Sequence, residues 1–260
     1  MAKLAAWTIG NLVGVMLIAA ASPRAYACGV STADGLSACS LAEHEEETRP
    51  RWHAGASAIY TSTSIHFSGA PALSSGDETR SSVVASLGYH PTPHVSYQIA
   101  VGGSFGGRLV TPVGNQDFSP GVTAAVGASW RILDFQGWRP FVVLTGNLSY
   151  SATHTRLMAN DADPASPGTG PSISYQAFDL RVGALVGTTI AHIFSPYAVG
   201  RAFGGPIYWQ YGGTDVTGTD AHHYQVGAGL TLAVVRRLNV FAEGIPLGER
   251  SLATGAALAF

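Results

Sequence analysis

Residues 251–260 read SLATGAALAF, and the parity of this stretch decides the fold. Leu252, Thr254, Ala256, Leu258 and Phe260 share one face at the two-residue period of a strand, while Ala253, Gly255, Ala257 and Ala259 share the other and are all small. One face suits lipid and the other a crowded interior. An alternating segment of about ten residues is the unit from which transmembrane β-barrels are built.

The segment resembles the closing strand of bacterial outer membrane β-barrel proteins, which ends on an aromatic residue as this chain does at Phe260. The resemblance implies an outer membrane bilayer as surroundings and the barrel assembly machinery, which reads that aromatic, as a partner. It implies a location and leaves the activity open.

Composition agrees. Only 12% of residues are charged, against roughly a quarter in soluble domains, while 10% are aromatic and 32 of 260 are glycine. The mean hydropathy is +0.19. A helical membrane bundle needs several runs of about 20 apolar residues, and the only candidate is residues 4–21. That run follows Lys3 and precedes Pro23, Arg24, Ala25, Tyr26 and Ala27, so residues 1–27 are expected to be a cleaved secretory signal. An uncleaved anchor helix and a lipoprotein acylated at Cys28 are the alternatives. The formal net charge of −2 offers no field that draws nucleic acid, and none is expected as a partner.

Cys28 and Cys39 are the only cysteines, and an oxidising periplasm is expected to join them in a disulfide. A metal site built with His44, or two idle thiols, are the rival readings. Residues 28–50 show no alternation and are expected to form a periplasmic segment. It could be a solvated tail, a short helix starting at Ser40 with Glu43 at its third position, or a small insert into the barrel mouth.

From Arg51 onward, alternating segments recur between turn-rich stretches, near 51–62, 80–90, 94–105, 120–132, 138–150, 173–188, 196–209, 222–235, 238–246 and 251–260. The expected fold is therefore all-β, a transmembrane antiparallel up-and-down barrel of about ten strands over 51–260. Connections alternate in length: short at 90–94, 133–137, 192–195 and 236–238, long at 62–79, 106–120, 151–172 and 211–221, with a tight exception at 247–250. Short turns on the periplasmic side, long loops outside and both termini periplasmic are the expected arrangement.

Aromatic residues on the outward parity should mark the two membrane interfaces. Trp52 and Tyr60 lie about 26 Å apart along a strand, and Trp138 and Tyr150 about 40 Å. Tilted by roughly 40°, these spans bracket an apolar band about 25 Å tall. Phe260 joins Trp52 and Trp138 in the periplasmic girdle.

The same parity turns Asp179, Arg181, Arg201 and Glu243 inward, with Arg131, Arg139, His53 and His90 nearer the periplasmic rim. Charges at membrane depth persist only when paired or hydrated. They are read either as a network that fills a narrow barrel or as a constriction governing a small solute. Eight strands leave an interior filled by side chains and about 16 an aqueous channel. Interior glycines at 127, 183, 187, 227, 229 and 255 either leave some room or serve strand curvature without leaving any.

Two enzymatic patterns have partial counterparts in the sequence. His66-Phe67-Ser68 resembles the His-x-Ser arrangement of outer membrane lipid hydrolases, with Asp77 and Glu78 as nearby acids, but Gly69-Ala70 stand where the phospholipase pattern has Asn-Gly. Ten strands also resemble omptin proteases, yet no paired acids facing an Asp/His pair stand out among Asp161, Asp163, Asp215, Asp220 and His222. His222 and His223, adjacent on a strand, point to opposite faces and should not chelate a metal. No organic cofactor or metal is expected. The expected function is non-enzymatic: a narrow passive channel, or a structural or surface-interaction barrel with a charged interior.

Overall fold

The computed structural model describes residues 28–30, 37–39, 51–69, 73–133, 140–157, 172–191, 193–235 and 237–260. Two short strands, β1 (Cys28–Val30) and β2 (Ser37–Cys39), form a separate antiparallel pair with Cys28 directly opposite Cys39. The remaining strands are β3 (Trp52–Ser68), β4 (Ser75–Tyr89), β5 (Val95–Thr111), β6 (Gly114–Phe118), β7 (Gly121–Leu133), β8 (Phe141–Leu157) and β9 (Ile173–Gly187). They continue with β10 (Phe194–Gly204), β11 (Ile207–Tyr211), β12 (Thr214–Asp220), β13 (Tyr224–Val235), β14 (Leu238–Gly248) and β15 (Arg250–Ala259).

These strands close into two coaxial rings. At the base, where the carboxyl terminus lies, ten strands run β3, β4, β5, β7, β8, β9, β10, β13, β14 and β15, with β15 antiparallel to β3. At the other end eight strands close as β3, β4, β5, β6, β8, β9, β11 and β12, with β12 paired directly to β3. The difference is the hairpin β14–β15, which turns at Glu249 and reaches no further. Gly248 sits there at φ +81, and a Cβ on it would fall 1.8 Å from the Tyr224 carbonyl oxygen, so this sharp, close turn requires glycine. Above the tip, the Ala221 amide donates to the Ser64 carbonyl at 2.7 Å and carries the wall across the missing hairpin.

The outward face of the ten-stranded ring is an apolar belt with aromatic edges. Trp52, Tyr97, Trp130, Phe194 and Phe260 mark its base, and Tyr60, Phe105, Phe178, Tyr208 and Tyr224 its upper edge, all of them exposed. Phe260 and Trp52 exchange backbone hydrogen bonds at 2.8 and 3.2 Å, which ties the last residue into the closing seam. Tyr150 faces outward as expected, stacked on Phe178 at 4.8 Å. Trp138 lies outside the described residues.

The sequence reading finds all ten ring strands but ends several of them early. Residues 62–68 and 75–79 continue β3 and β4, and 107–111 with 114–118 form a hairpin of β5 and β6, where long loops were expected. The reason is physical. Above the belt the outward face meets water, so Ser62, Ser64, His66 and Asp77 replace the apolar residues whose alternation identifies a strand. The possible helix start at Ser40 and the loop core at 158–171 lie outside the described residues.

Candidate functional site

Where ten strands give way to eight, the interior holds a polar chamber of about 140 Å³. Its wall includes the carboxylates of Glu78, Asp179, Asp220 and Glu249 and the guanidinium groups of Arg80 and Arg181, framed by Thr61, Thr63, Ser104, Thr123, Ser149 and Ser151. Four acids face two bases. Arg80 pairs with Glu78, donates to the Ser151 hydroxyl at 2.9 Å, and lies 5.2 Å from the Phe118 ring centre and 5.6 Å from that of Tyr175. The Tyr175 hydroxyl also donates to Glu78. Arg181 pairs with Asp179 and, at 3.1 Å, with Glu249, its plane 4.8 Å from the Phe203 ring. Both cations are thus held by carboxylate and aromatic groups together, an arrangement suited to the planar guanidinium.

Asp220 stands apart from these pairs. Its carboxylate accepts from the Thr63 hydroxyl at 3.1 Å across the β12–β3 junction. Burial, with the neighbouring charge of Asp179 adding to it, pushes its carboxyl up to about 6 despite the opposing pull of Arg181.

Two residues further along β9 toward the base, Gly183 leaves the space into which Arg201 lies; a Cβ there would meet the Arg201 Cγ at 2.6 Å. Arg201 pairs with Glu243 at 3.0 Å and donates to the Gln225 side-chain oxygen at 3.3 Å, while the Tyr197 hydroxyl donates to Glu243 at 3.2 Å. Both members of the pair are almost fully buried. At Gly183, Gly187, Gly227, Gly229 and Gly255 the room over the interior glycines is occupied. Phe141, with Tyr197, fills the space above Gly187, Tyr197 that above Gly229, Phe241 that above Gly255, and Ile245 that above Gly227.

The eight-stranded neck is filled as well. Trp209, Tyr175, Ile65, Leu73 and Leu109 are each no more than 1% exposed, and Phe67, Phe118, Ile207 and Val216 complete one apolar cluster. Trp209 anchors it: its indole N–H donates to the Thr155 hydroxyl at 3.0 Å, and its ring lies 5.4 Å from Phe67. Eight strands enclose an interior of the width that side chains fill.

Asp179 and Arg181 line the chamber, Arg201 and Glu243 are buried below it, and Arg131 sits buried near the base. Arg139 lies outside the described residues. The sequence reading missed Arg80 and Glu249, and it placed Glu78 beside a hydrolase pattern instead of inside the barrel. A readable signal existed: Glu78-Thr79-Arg80 repeats the acid-x-Arg spacing of Asp179-Leu180-Arg181, which puts both charges of each pair on one face.

The hydrolase pattern is not assembled. His66 and Ser68 are exposed on the outward face of β3, and the Ser68 hydroxyl donates to the Thr217 carbonyl at 3.2 Å. Asp77 accepts from the Ser64 hydroxyl at 2.7 Å, and Glu78 faces the chamber, so neither acid orients His66. Asp215 and His222 are exposed, His222 packing edge-on against Tyr224 at 6.0 Å, while Asp220 points inward. Among the described residues no group of three metal-ligating side chains converges.

No protein family model matches the chain, and no curated protein matches it. Solved structures do. The outer membrane protease OmpT from Escherichia coli superposes with a TM-score of 0.51 at 11% identity, over 84% of this chain and 99% of that one. The translocator domain of the autotransporter NalP from Neisseria meningitidis gives 0.43 at 11% identity, over 83% and 90%. An outer membrane channel from Pseudomonas putida F1 gives 0.42 at 10%, over 84% and 100%. The fold is that of the bacterial outer membrane β-barrel proteins. At these identities the likeness describes architecture alone.

Proposed function

We propose that this chain is a non-enzymatic barrel of the bacterial outer membrane whose interior is closed, serving as a structural or surface-interaction barrel. The apolar belt with its two aromatic edges supports membrane insertion, with the base and both chain ends periplasmic and the neck outside. The observation that carries the closed state is the neck cluster around Trp209, stacked above the buried Arg201–Glu243 pair. Residues 1–27 act as the export signal, and the register of Cys28 opposite Cys39 supports a disulfide between them in the oxidising periplasm.

Planar-bilayer recording tests this reading. The refolded protein gives no discrete conductance steps, while a neck variant carrying Trp209→Ala, Phe67→Ala and Phe118→Ala gives them. Steps from the unaltered protein overturn the closed barrel. They would favour a second reading, a narrow passive channel, for which the charge-lined chamber is the supporting observation; conductance altered by Arg181→Ala or Arg201→Ala would then identify its lining.

A further inference from the structure

Inward-facing side chains at the periplasmic mouth of a barrel ought to meet water, because the strands end there. Here they do not. His53, Ser96, Arg131, Ser195, Asn239 and Ala259 each lie within two residues of a strand end at the base, and each is between 0% and 7% exposed. The mouth is therefore covered. Most of these side chains are too short to cover one another across a ten-stranded ring.

The strand β1 lies where the cover is needed. Its backbone comes within 8 Å, Cα to Cα, of β14 and β15 and also of β13 and β3, four consecutive members of the ring. Toward the base the inner face of that arc carries the small Ala233, Ala257 and Ala259 beside Asn239 and His53, with the larger Phe241 and Ile245 further in. The outer face of the same arc carries Leu252, Leu258 and Phe260, which belong to the apolar belt. Beside the small residues, the Asn239 side-chain amide is 1% exposed and makes no hydrogen bond among the described residues.

We infer that the β1–β2 hairpin is a plug: it enters the periplasmic mouth and seats β1 against the inner face of β13, β14, β15 and β3. The plug closes the base independently of the apolar cluster that closes the neck, so the chamber is sealed from both ends.

Thiol accessibility separates this arrangement from a tail outside the barrel. Asn239→Cys is placed as the sole thiol, once in the mature chain carrying Cys28→Ser and Cys39→Ser, and once in a chain lacking residues 28–39. A membrane-impermeant maleimide should modify the shortened chain at least tenfold faster; equal rates overturn the plug. If the shortened chain does not refold, Cys28 in a Cys39→Ser chain serves instead, paired with Ala257→Cys on the inner face or Leu258→Cys on the outer face of β15. Oxidation should give an intrachain bond with Ala257→Cys alone. A bond to Leu258→Cys, or to neither, overturns the inference.

Discussion

Glu243 is 2% exposed and pairs with Arg201, with Tyr197 as an additional donor. Removing one member of such a pair leaves the other charge buried without compensation, a loss of about 3–5 kcal/mol, whereas replacing both by apolar groups is commonly near neutral. Glu243→Leu should therefore lower stability in urea unfolding from lipid vesicles by about 3–5 kcal/mol, and the double variant Arg201→Leu/Glu243→Leu should recover most of it. Asp220 gives a different signature. Its carboxyl titrates near 6 in the folded barrel against an ordinary value of 3.8, so the folded state holds its proton more tightly than the unfolded one. Stability from this group is greatest at low pH and is lost as pH rises from about 4 to about 6. Asp220→Asn should flatten the unfolding midpoint across that window; an unchanged slope sinks the assignment. Parity alone made Asp179, Arg181, Arg201 and Glu243 legible in the sequence, because each lies on a strand whose other face is plainly apolar. Glu78 and Arg80 were hidden because their strand rises out of the belt, where both faces are polar.

The strands themselves were legible wherever lipid demands an apolar face. Residues 251–260 and 178–183 alternate clearly, and both appear in the structure with the expected face outward. The neck was not legible, since water accepts Ser, His and Asp on its outer wall and the pattern fades. The short β14–β15 hairpin was legible as the tight turn at 247–250, which Gly248 marks; that the strands beside it continue past it was not. Gly248→Ala introduces a side chain at a positive φ and against the Tyr224 carbonyl, and should cost about 1–3 kcal/mol, read as a lower urea midpoint. Ser68→Ala is the contrasting control at the other end of β3. Ser68 is exposed and contributes one hydrogen bond, so the variant should fold as the parent does. Assayed on phospholipid micelles, parent and variant should both be silent; hydrolysis by the parent that Ser68→Ala abolishes would restore the enzymatic reading.

At the scale of the whole molecule, the belt, the chamber and the neck are consequences of one geometric step from ten strands to eight. A ring of ten carries the broad apolar surface that a bilayer covers, and a ring of eight is narrow enough for Trp209 and its neighbours to fill. The step also changes how the molecule could come apart. Every closed barrel has one junction at which its first and last strands meet, here β3 with β15, and unzipping there is the simplest way for a lipid or a nascent strand to enter sideways. Directly above that junction β12 crosses to β3 and is bonded along Thr217 to Asp220. The crossing acts as a clasp: the last hairpin cannot swing away from the first strand without also parting the wall above it, so the barrel should resist lateral opening at the point where such barrels are otherwise easiest to open.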